Sequence, residues 1–337
     1  MFNQQSPFIQ KSPSVTSIMM TVLLALIPGL IAYIIFYGVG ILLNVLLAII
    51  TGLIAESTIL KIRKLPVRLF ITDGSAIVAS CLLALSIPTI TPWWIIVVGT
   101  LFTIVIAKHF YGGLGSNLFN PAMVGYAILL ISFPAIMTKW QLPIHLIDGG
   151  LSPYQSSKIF FSGMQELTDS LATATPLDYI KTELFLGRNI IDANRNSQAI
   201  LLASSAPTFI ALSYFIGGVY LWIKKIITWH LPITYLVSIT TISLIFHLID
   251  PNQYSSPLFH LINGGTFLCA FFIITDPVSG PTTPNGKVIF AFGVALLVYL
   301  IRVFGGYPEG IAFAVILMNI CVPLIDKFTQ PKVFGHE

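Results

Sequence analysis

Ser17-Ile-Met-Met-Thr-Val-Leu-Leu-Ala-Leu-Ile-Pro-Gly-Leu-Ile-Ala-Tyr-Ile-Ile-Phe36 runs for twenty residues without a charge. As a helix it would rise about 30 Å, the thickness of a bilayer's hydrocarbon core. It reads as a first span and not as a cleaved signal peptide, because it is too long, lacks a small-residue cleavage site and is followed by more runs of the same kind. Those runs are Ile41–Leu60, Ser75–Ile87, Trp93–Ala107, Pro121–Ile136, Pro207–Ile223, Leu231–Leu248, Leu258–Ile274, Val288–Ile301 and Ile311–Ile325. The third and fourth are short and flank Pro88 and Pro92, which predicts broken or re-entrant ends. The expected fold class is an all-α integral membrane protein of about ten transmembrane helices.

Composition agrees. Of 337 residues, 55% are hydrophobic and 9% charged, against about 25% charged in a soluble domain. Mean hydropathy is +0.88. This excludes a nucleic-acid binder, a disulfide module and a cytosolic enzyme. Cys81, Cys269 and Cys321 lie far apart inside apolar runs, so no cluster or zinc site is expected from this chain alone. His109, His145, His230, His247, His260 and His336 show no ligand spacing. Electron handling would therefore need an organic cofactor.

Basic residues predict the orientation. With the N-terminus inside, Lys11, Lys61, Arg63, Lys64, Arg68, Lys108, Lys224, Lys225, Lys287, Lys327 and Lys332 are cytoplasmic, 11 of the 17. Both termini are then inside. Trp93, Trp94, Trp140, Trp222 and Trp229 fall at expected interfaces. Three regions follow: 1–136 with spans one to five, a polar loop at 137–206, and 207–337 with spans six to ten. Five crossings before the loop place it outside the cytoplasm. It holds five basic residues (Lys139, Lys158, Lys181, Arg188, Arg195) and six acidic ones (Asp148, Glu166, Asp169, Asp178, Glu183, Asp192). Loops of this length in compact proteins are usually functional or disordered.

The two membrane regions resemble each other. Lys108-His-Phe-Tyr-Gly-Gly113 matches Arg302-Val-Phe-Gly-Gly306, and Gly74-Ser-Ala-Ile and Gly265-Thr-Phe-Leu open comparable runs. An odd number of spans per repeat inverts the second copy, which accounts for Arg302 lying outside. The alternative is chance recurrence of Gly-Gly. Inverted repeats build sites near the bilayer midplane from broken helices. The candidate breaks are Thr72–Gly74, Gly112–Pro121, Thr275–Gly286 and Gly305–Gly310, each also readable as an interfacial turn.

In the loop, Asp169-Ser-Leu-Ala-Thr-Ala-Thr-Pro-Leu-Asp178 presents Thr175 before Pro176, which biases its backbone to an extended form. An extended, water-facing threonine is accessible to a modifying enzyme. Its hydroxyl is a weak nucleophile unless the donor is activated elsewhere. An ordinary polar loop is the plainer alternative.

Four stretches carry a resemblance: Lys108–Pro121 (KHFYGGLGSNLFNP), Asp169–Leu177 (DSLATATPL), Thr275–Gly286 (TDPVSGPTTPNG) and Gly305–Asn319 (GGYPEGIAFAVILMN). With nearly the whole chain, they resemble the D subunits of Rnf/Rsx ion-translocating oxidoreductase complexes. More distantly they are similar to the B subunits of sodium-translocating NADH:quinone oxidoreductases. The resemblance implies a membrane component, not catalytic alone, that relays electrons coupled to Na+ or H+ movement. It implies FMN joined through its phosphate to Thr175 by an extracytoplasmic flavin transferase, with Asp169 as the leading acid of the motif. Ala172 and Thr173 depart from the motif and leave Thr173 as a competing acceptor. The A, B, C, E and G subunits as partners, the bacterial inner membrane and a noncovalent riboflavin come with the same resemblance.

Ion-path residues stay open. Glu56 is the acid well inside a run, near Lys61, and reads either as a snorkelling side chain or an ion site. Asp73 and Asp276 read as turn or N-terminal residues, and Asn44, Asn263 and Asn319 as interhelical glue or path lining. Other functions for the same pattern are a small-solute channel of urea-channel-like architecture, or a structural anchor. No GxGxxG follows a strand, so NADH is expected to bind elsewhere.

Overall fold

A computed structural model describes residues 14–147, 150–162, 171–193 and 204–331. Asp169 lies outside them. Helix α1 (Val15–Tyr37) starts at Ser14, whose hydroxyl accepts from Ser17 N at 3.2 Å. It is followed by α2 (Gly40–Ile62), a short α3 (Val67–Ile71) and α4 (Ser75–Ser86). Helix α5 (Trp93–Leu101) passes into a π-helical segment, Phe102–His109, before α6 (Pro121–Ser132) and the single turn α7 (Pro134–Met137). The loop region contains α8 (Pro153–Ser162), α9 (Pro176–Phe185) and α10 (Ile190–Ala193). A two-residue antiparallel pair, β1 (Trp140–Gln141) with β2 (Ala172–Thr173), ties it together.

The second half runs α11 (Ala206–Ile223), α12 (His230–Ile249), α13 (Pro257–Ile262) and α14 (Thr266–Leu268), the last continuing as the π segment Cys269–Ile273. It ends with α15 (Pro284–Phe304) and α16 (Ile311–Thr329). Among the described residues, six helices, α1, α2, α11, α12, α15 and α16, are long and apolar enough to cross a membrane. Helices α4, α5 with its π segment, and α6 are apolar but shorter.

The helix ends collect on two faces. On one, which we call the basic face, Thr16 bonds Thr72 O, Arg63 bonds Gly112 O and Thr282 bonds Asp326. On the other, the loop face, Gln141 bonds Tyr37 O and Lys181 bonds Ile301 O. The halves meet chiefly where α1 crosses α11. Glycines let the backbones approach there: a Cβ at Gly217 would strike Ala25 O, and one at Gly29 would strike the Tyr214 ring. Small residues at helix crossings are the usual device in membranes, where lipid offers no hydrophobic drive for association. One buried apolar cluster extends through both halves.

The four candidate breaks are all non-helical at their centres. The short third and fourth runs end as expected near the prolines, and their connection is buried. Its polar groups are paired: Asn44 Nδ2 and Thr91 Oγ1 donate to Pro88 O (3.2 and 2.7 Å), and Thr89 Oγ1 donates to Gln141 Oε1 (2.9 Å). The eighth run differs from expectation. It is cut at Asn263–Gly265, where Gly264 and Gly265 have φ +72° and +68°, a backbone region that glycine enters without penalty.

Candidate functional site

Helix α9 carries Thr175 at its N-cap. The backbone there is extended (φ −70°, ψ 159°), and Oγ1 accepts from Asp178 N at 3.2 Å. Pro176 at the first helical position needs no amide partner. Thr175 is half-buried. The expectation of a water-facing side chain is thus corrected: the threonine stands on the wall of a cavity, because α9 is docked and not free. Leu177, Tyr179 and Ile180 bury one side of α9, and the Tyr179 hydroxyl donates to Ala193 O at 2.9 Å. Lys181 Nζ donates to Ile301 O (3.1 Å) and Tyr307 O (2.7 Å), latching α9 to the end of α15 and the loop beyond. Thr173 lies one strand register away, opposite Trp140.

The cavity opens between the halves on the loop face and measures about 170 Å³. Tyr33, Tyr37, Tyr126 and Trp140 provide aromatic walls, and Thr175, Asp178, Asn263 and Glu309 provide polar groups. Burial lifts the Asp178 carboxyl above its ordinary range, against the pull of Lys181. Burial likewise lowers the Lys181 ammonium, against Asp178 and Glu309.

Behind this cavity Arg302 locks the break in the eighth run. Its guanidinium bonds Glu309 through Nε (3.2 Å) and Nη2 (2.9 Å), His260 O (2.9 Å), Gly264 O (3.0 Å) and Thr266 Oγ1 (3.0 Å). Glu309 in turn accepts from Gly310 N at 2.9 Å, just before α16. A fork of five donors suits a group of convergent acceptors.

A second cavity, also about 170 Å³, opens between the halves toward the basic face and is lined by Ser75, Lys108, Asn117, Asn120 and Asp276. Asn120 caps α6 and joins the halves: its Nδ2 donates to Ile273 O and its backbone N to Asn319 Oδ1, both at 3.1 Å. Asn319 donates on to Ser279 O at 2.9 Å, the glue role expected of it. Asp73 accepts from Ser75 N at 2.7 Å at the start of α4, and Asp276 from Ser279 Oγ at 2.6 Å in a turn, as expected of both.

Glu56 does not snorkel. It is 1% exposed, and its partners are Lys108 and His109, not Lys61. Lys108 and Arg302, read as topology charges, are both buried in ion pairs. Sequence reasoning missed these pairings and the Lys181 latch. The available signal was a Lys-His doublet, and later an arginine, inside otherwise apolar runs.

A model of the NQR2, RnfD, RnfE family matches residues 2–335. The chain is 46% identical to the D subunit of the ion-translocating oxidoreductase complex of Yersinia enterocolitica, over 98% of this chain and 97% of that protein. It is 44% identical to the protein of the same name from Pectobacterium atrosepticum, over 98% of both. The figure is 41% for the one from Shewanella denitrificans, over 98% and 97%.

Proposed function

The chain belongs to the NQR2, RnfD, RnfE family, and from this premise we propose that it carries FMN on Thr175 and relays electrons coupled to Na+ or H+ transport. It is a multi-pass membrane component of an ion-translocating oxidoreductase complex and is not catalytic alone. The observation that carries the flavin reading is the placement of Thr175. It is an N-cap hydroxyl on the rim of an aromatic-walled cavity between the halves.

The chain's own groups fit such a cofactor. A phosphodiester on Oγ1 would sit at the N-terminus of α9, where backbone N–H groups and the helix dipole favour negative charge. Asp178, which would repel it, is held toward its neutral form by burial. The tyrosines and Trp140 offer faces for stacking. A cavity of about 150 Å³ takes a benzene-sized ring, so part of a tricyclic flavin has to lie at the mouth. When bound, the flavin supplies one- and two-electron transfer. The residues around it orient the ring and exclude water.

Further parts of the reading are supported by shape and charge. Two inverted five-helix repeats account for the paired features: Lys108 and Arg302 in buried ion pairs, a π segment in each half, and left-handed Gly74 and Gly265 before α4 and α14. The lysines of the basic face favour a cytoplasmic assignment for it, with both termini on the cytoplasmic side of the bacterial inner membrane. The loop face is then where a flavin transferase reaches Thr175. The second cavity is the place we assign to a noncovalent riboflavin. The A, B, C, E and G subunits would supply the other redox centres.

In-gel fluorescence of the denatured chain, made in a host with the transferase, tests the flavin. Thr175→Val should abolish the band and Thr173→Val should leave it. A band that persists without Thr175 moves the attachment, and no band from the wild-type chain ends the reading.

A further inference from the structure

Glu56, Lys108, His109, Ser75 and Asp73 form a hydrogen-bonded network that the Thr175 reading does not use, although Ser75 and Lys108 also line the second cavity. Lys108 Nζ donates to Glu56 Oε1 and, at 2.7 Å, to Ser75 Oγ. Ser75 Oγ donates to Asp73 Oδ1 at 2.6 Å, and His109 Nε2 lies 3.1 Å from Glu56 Oε1. With His109 neutral, two carboxylates face one ammonium. Arg63 donates to Gly112 O at 3.0 Å, in the loop over the cluster. An intramembrane carboxylate this deep is costly and functional by default.

Two atoms of the network have no partner among the described residues, Glu56 Oε2 and His109 Nδ1. The His109 ring is covered on its Nδ1 side by Gly113, where even an added Cβ would stay 3.7 Å away. Gly113 belongs to the glycine loop of the basic face, and Gly112, Gly115 and Ser116 beside it are exposed.

Other unpartnered oxygens are buried in the same half. The hydroxyls of Ser80, Thr100 and Thr103 are fully buried and unpaired among the described residues. Helical Ser and Thr ordinarily bond a carbonyl one turn back, as Ser57, Ser86 and Thr240 do here. Ser80 Oγ and the Thr100 methyl press against Gly52, one turn from Glu56 on α2, while Thr103 Oγ1 faces Gly125 on α6. Asn44 Oδ1 is also unpaired, about 18 Å along α2 from Glu56 at 1.5 Å per residue. The second half does not repeat the two threonines. Counting back from Arg302 as from Lys108, Thr100 and Thr103 correspond to Val294 and Leu297.

We propose that the first half holds a proton-loading relay, in which His109 takes up a proton at Nδ1 from the basic face and delivers one from Nε2 to Glu56. The ring passes through imidazolium and returns neutral with its tautomer exchanged, while the carboxylate becomes a carboxylic acid. Uptake leaves Asp73 and Lys108 as the balanced charges of the cluster. This route runs within one half. It rests on the ion-translocating reading and selects H+ for this site.

The test uses the whole complex in proteoliposomes, driven by electron transfer, with a pH-sensitive dye and radioactive sodium read in parallel. His109→Ala should slow proton uptake at least about tenfold, and imidazole in the medium on the basic-face side should restore part of it. Glu56→Gln should abolish uptake without responding to imidazole. Electron transfer to an artificial acceptor and the fluorescent flavin band should persist in both, so a failure of the flavin assignment shows separately. Proton uptake at the wild-type rate in His109→Ala overturns the relay. So does a loss that imidazole never relieves but His109→Gln repairs, or sodium uptake alone in the wild type.

Discussion

Gly264 stands at φ +72° between the groups that hold the eighth run open. A Cβ there would overlap Glu309 Oε2 and press on Leu177 and Arg302. A side chain in that backbone region costs about 1–3 kcal/mol before any clash. Gly264→Ala should therefore lower the thermal midpoint of the detergent-solubilised chain, and α9 should loosen with it through Leu177. An unchanged midpoint would mean the Arg302–Glu309 lock is not strained by a methyl group. Thr175 is the opposite kind of residue. Its extended backbone follows from the proline after it, but its half-burial follows from Lys181 six residues on.

At the scale of elements, α9 is held by a lysine that burial makes less basic than its ordinary 10.5. Such a lysine costs stability while it is charged in both states, and the cost fades as pH climbs from the lowered value to 10.5. Docking of α9 should tighten with rising pH across that alkaline window. Asp178 acts with the opposite slope in acid, because burial raises its carboxyl above 3.8 and ionisation then opposes docking. Lys181→Met should flatten the alkaline response and raise amide exchange in α9 at neutral pH. Unaltered exchange would show that the apolar face alone docks the helix. The α1–α11 crossing makes a second case. Gly217→Val inserts atoms where Ala25 O already sits, and overpacking of this kind typically costs about 1–3 kcal/mol. Unfolding in mixed micelles should register it as a lower midpoint.

At the scale of the whole molecule, the two cavities open toward opposite faces. The one toward the basic face is bounded by Asn120 and Phe272, the one on the loop face by Met123 and Ile273, so the same two segments line both. The proposed attachment at Thr175 needs the loop face to lie outside the cytoplasm. A cysteine beside Thr175, in the chain expressed in sealed cells, should react with a membrane-impermeant thiol reagent. Protection until lysis would reverse the orientation and place Thr175 out of reach of the proposed outer transferase.

What could be read in the residues alone were properties that depend on near neighbours in the chain. Apolar length declares spans, Gly-Gly and Asp-Pro declare breaks, and Thr-Pro declares an extended threonine, since each rests on local backbone freedom and on transfer of adjacent side chains into lipid. The break at Asn263–Gly265 was legible in the same terms and was overlooked inside a long apolar run. Tertiary structure decided which polar atoms meet. Glu56 finds Lys108 across 52 residues and Asn120 finds Asn319 across 199. The desolvation that makes Glu56 costly, Thr175 half-buried and Lys181 less basic is created by elements packed from elsewhere, and no window of sequence contains it.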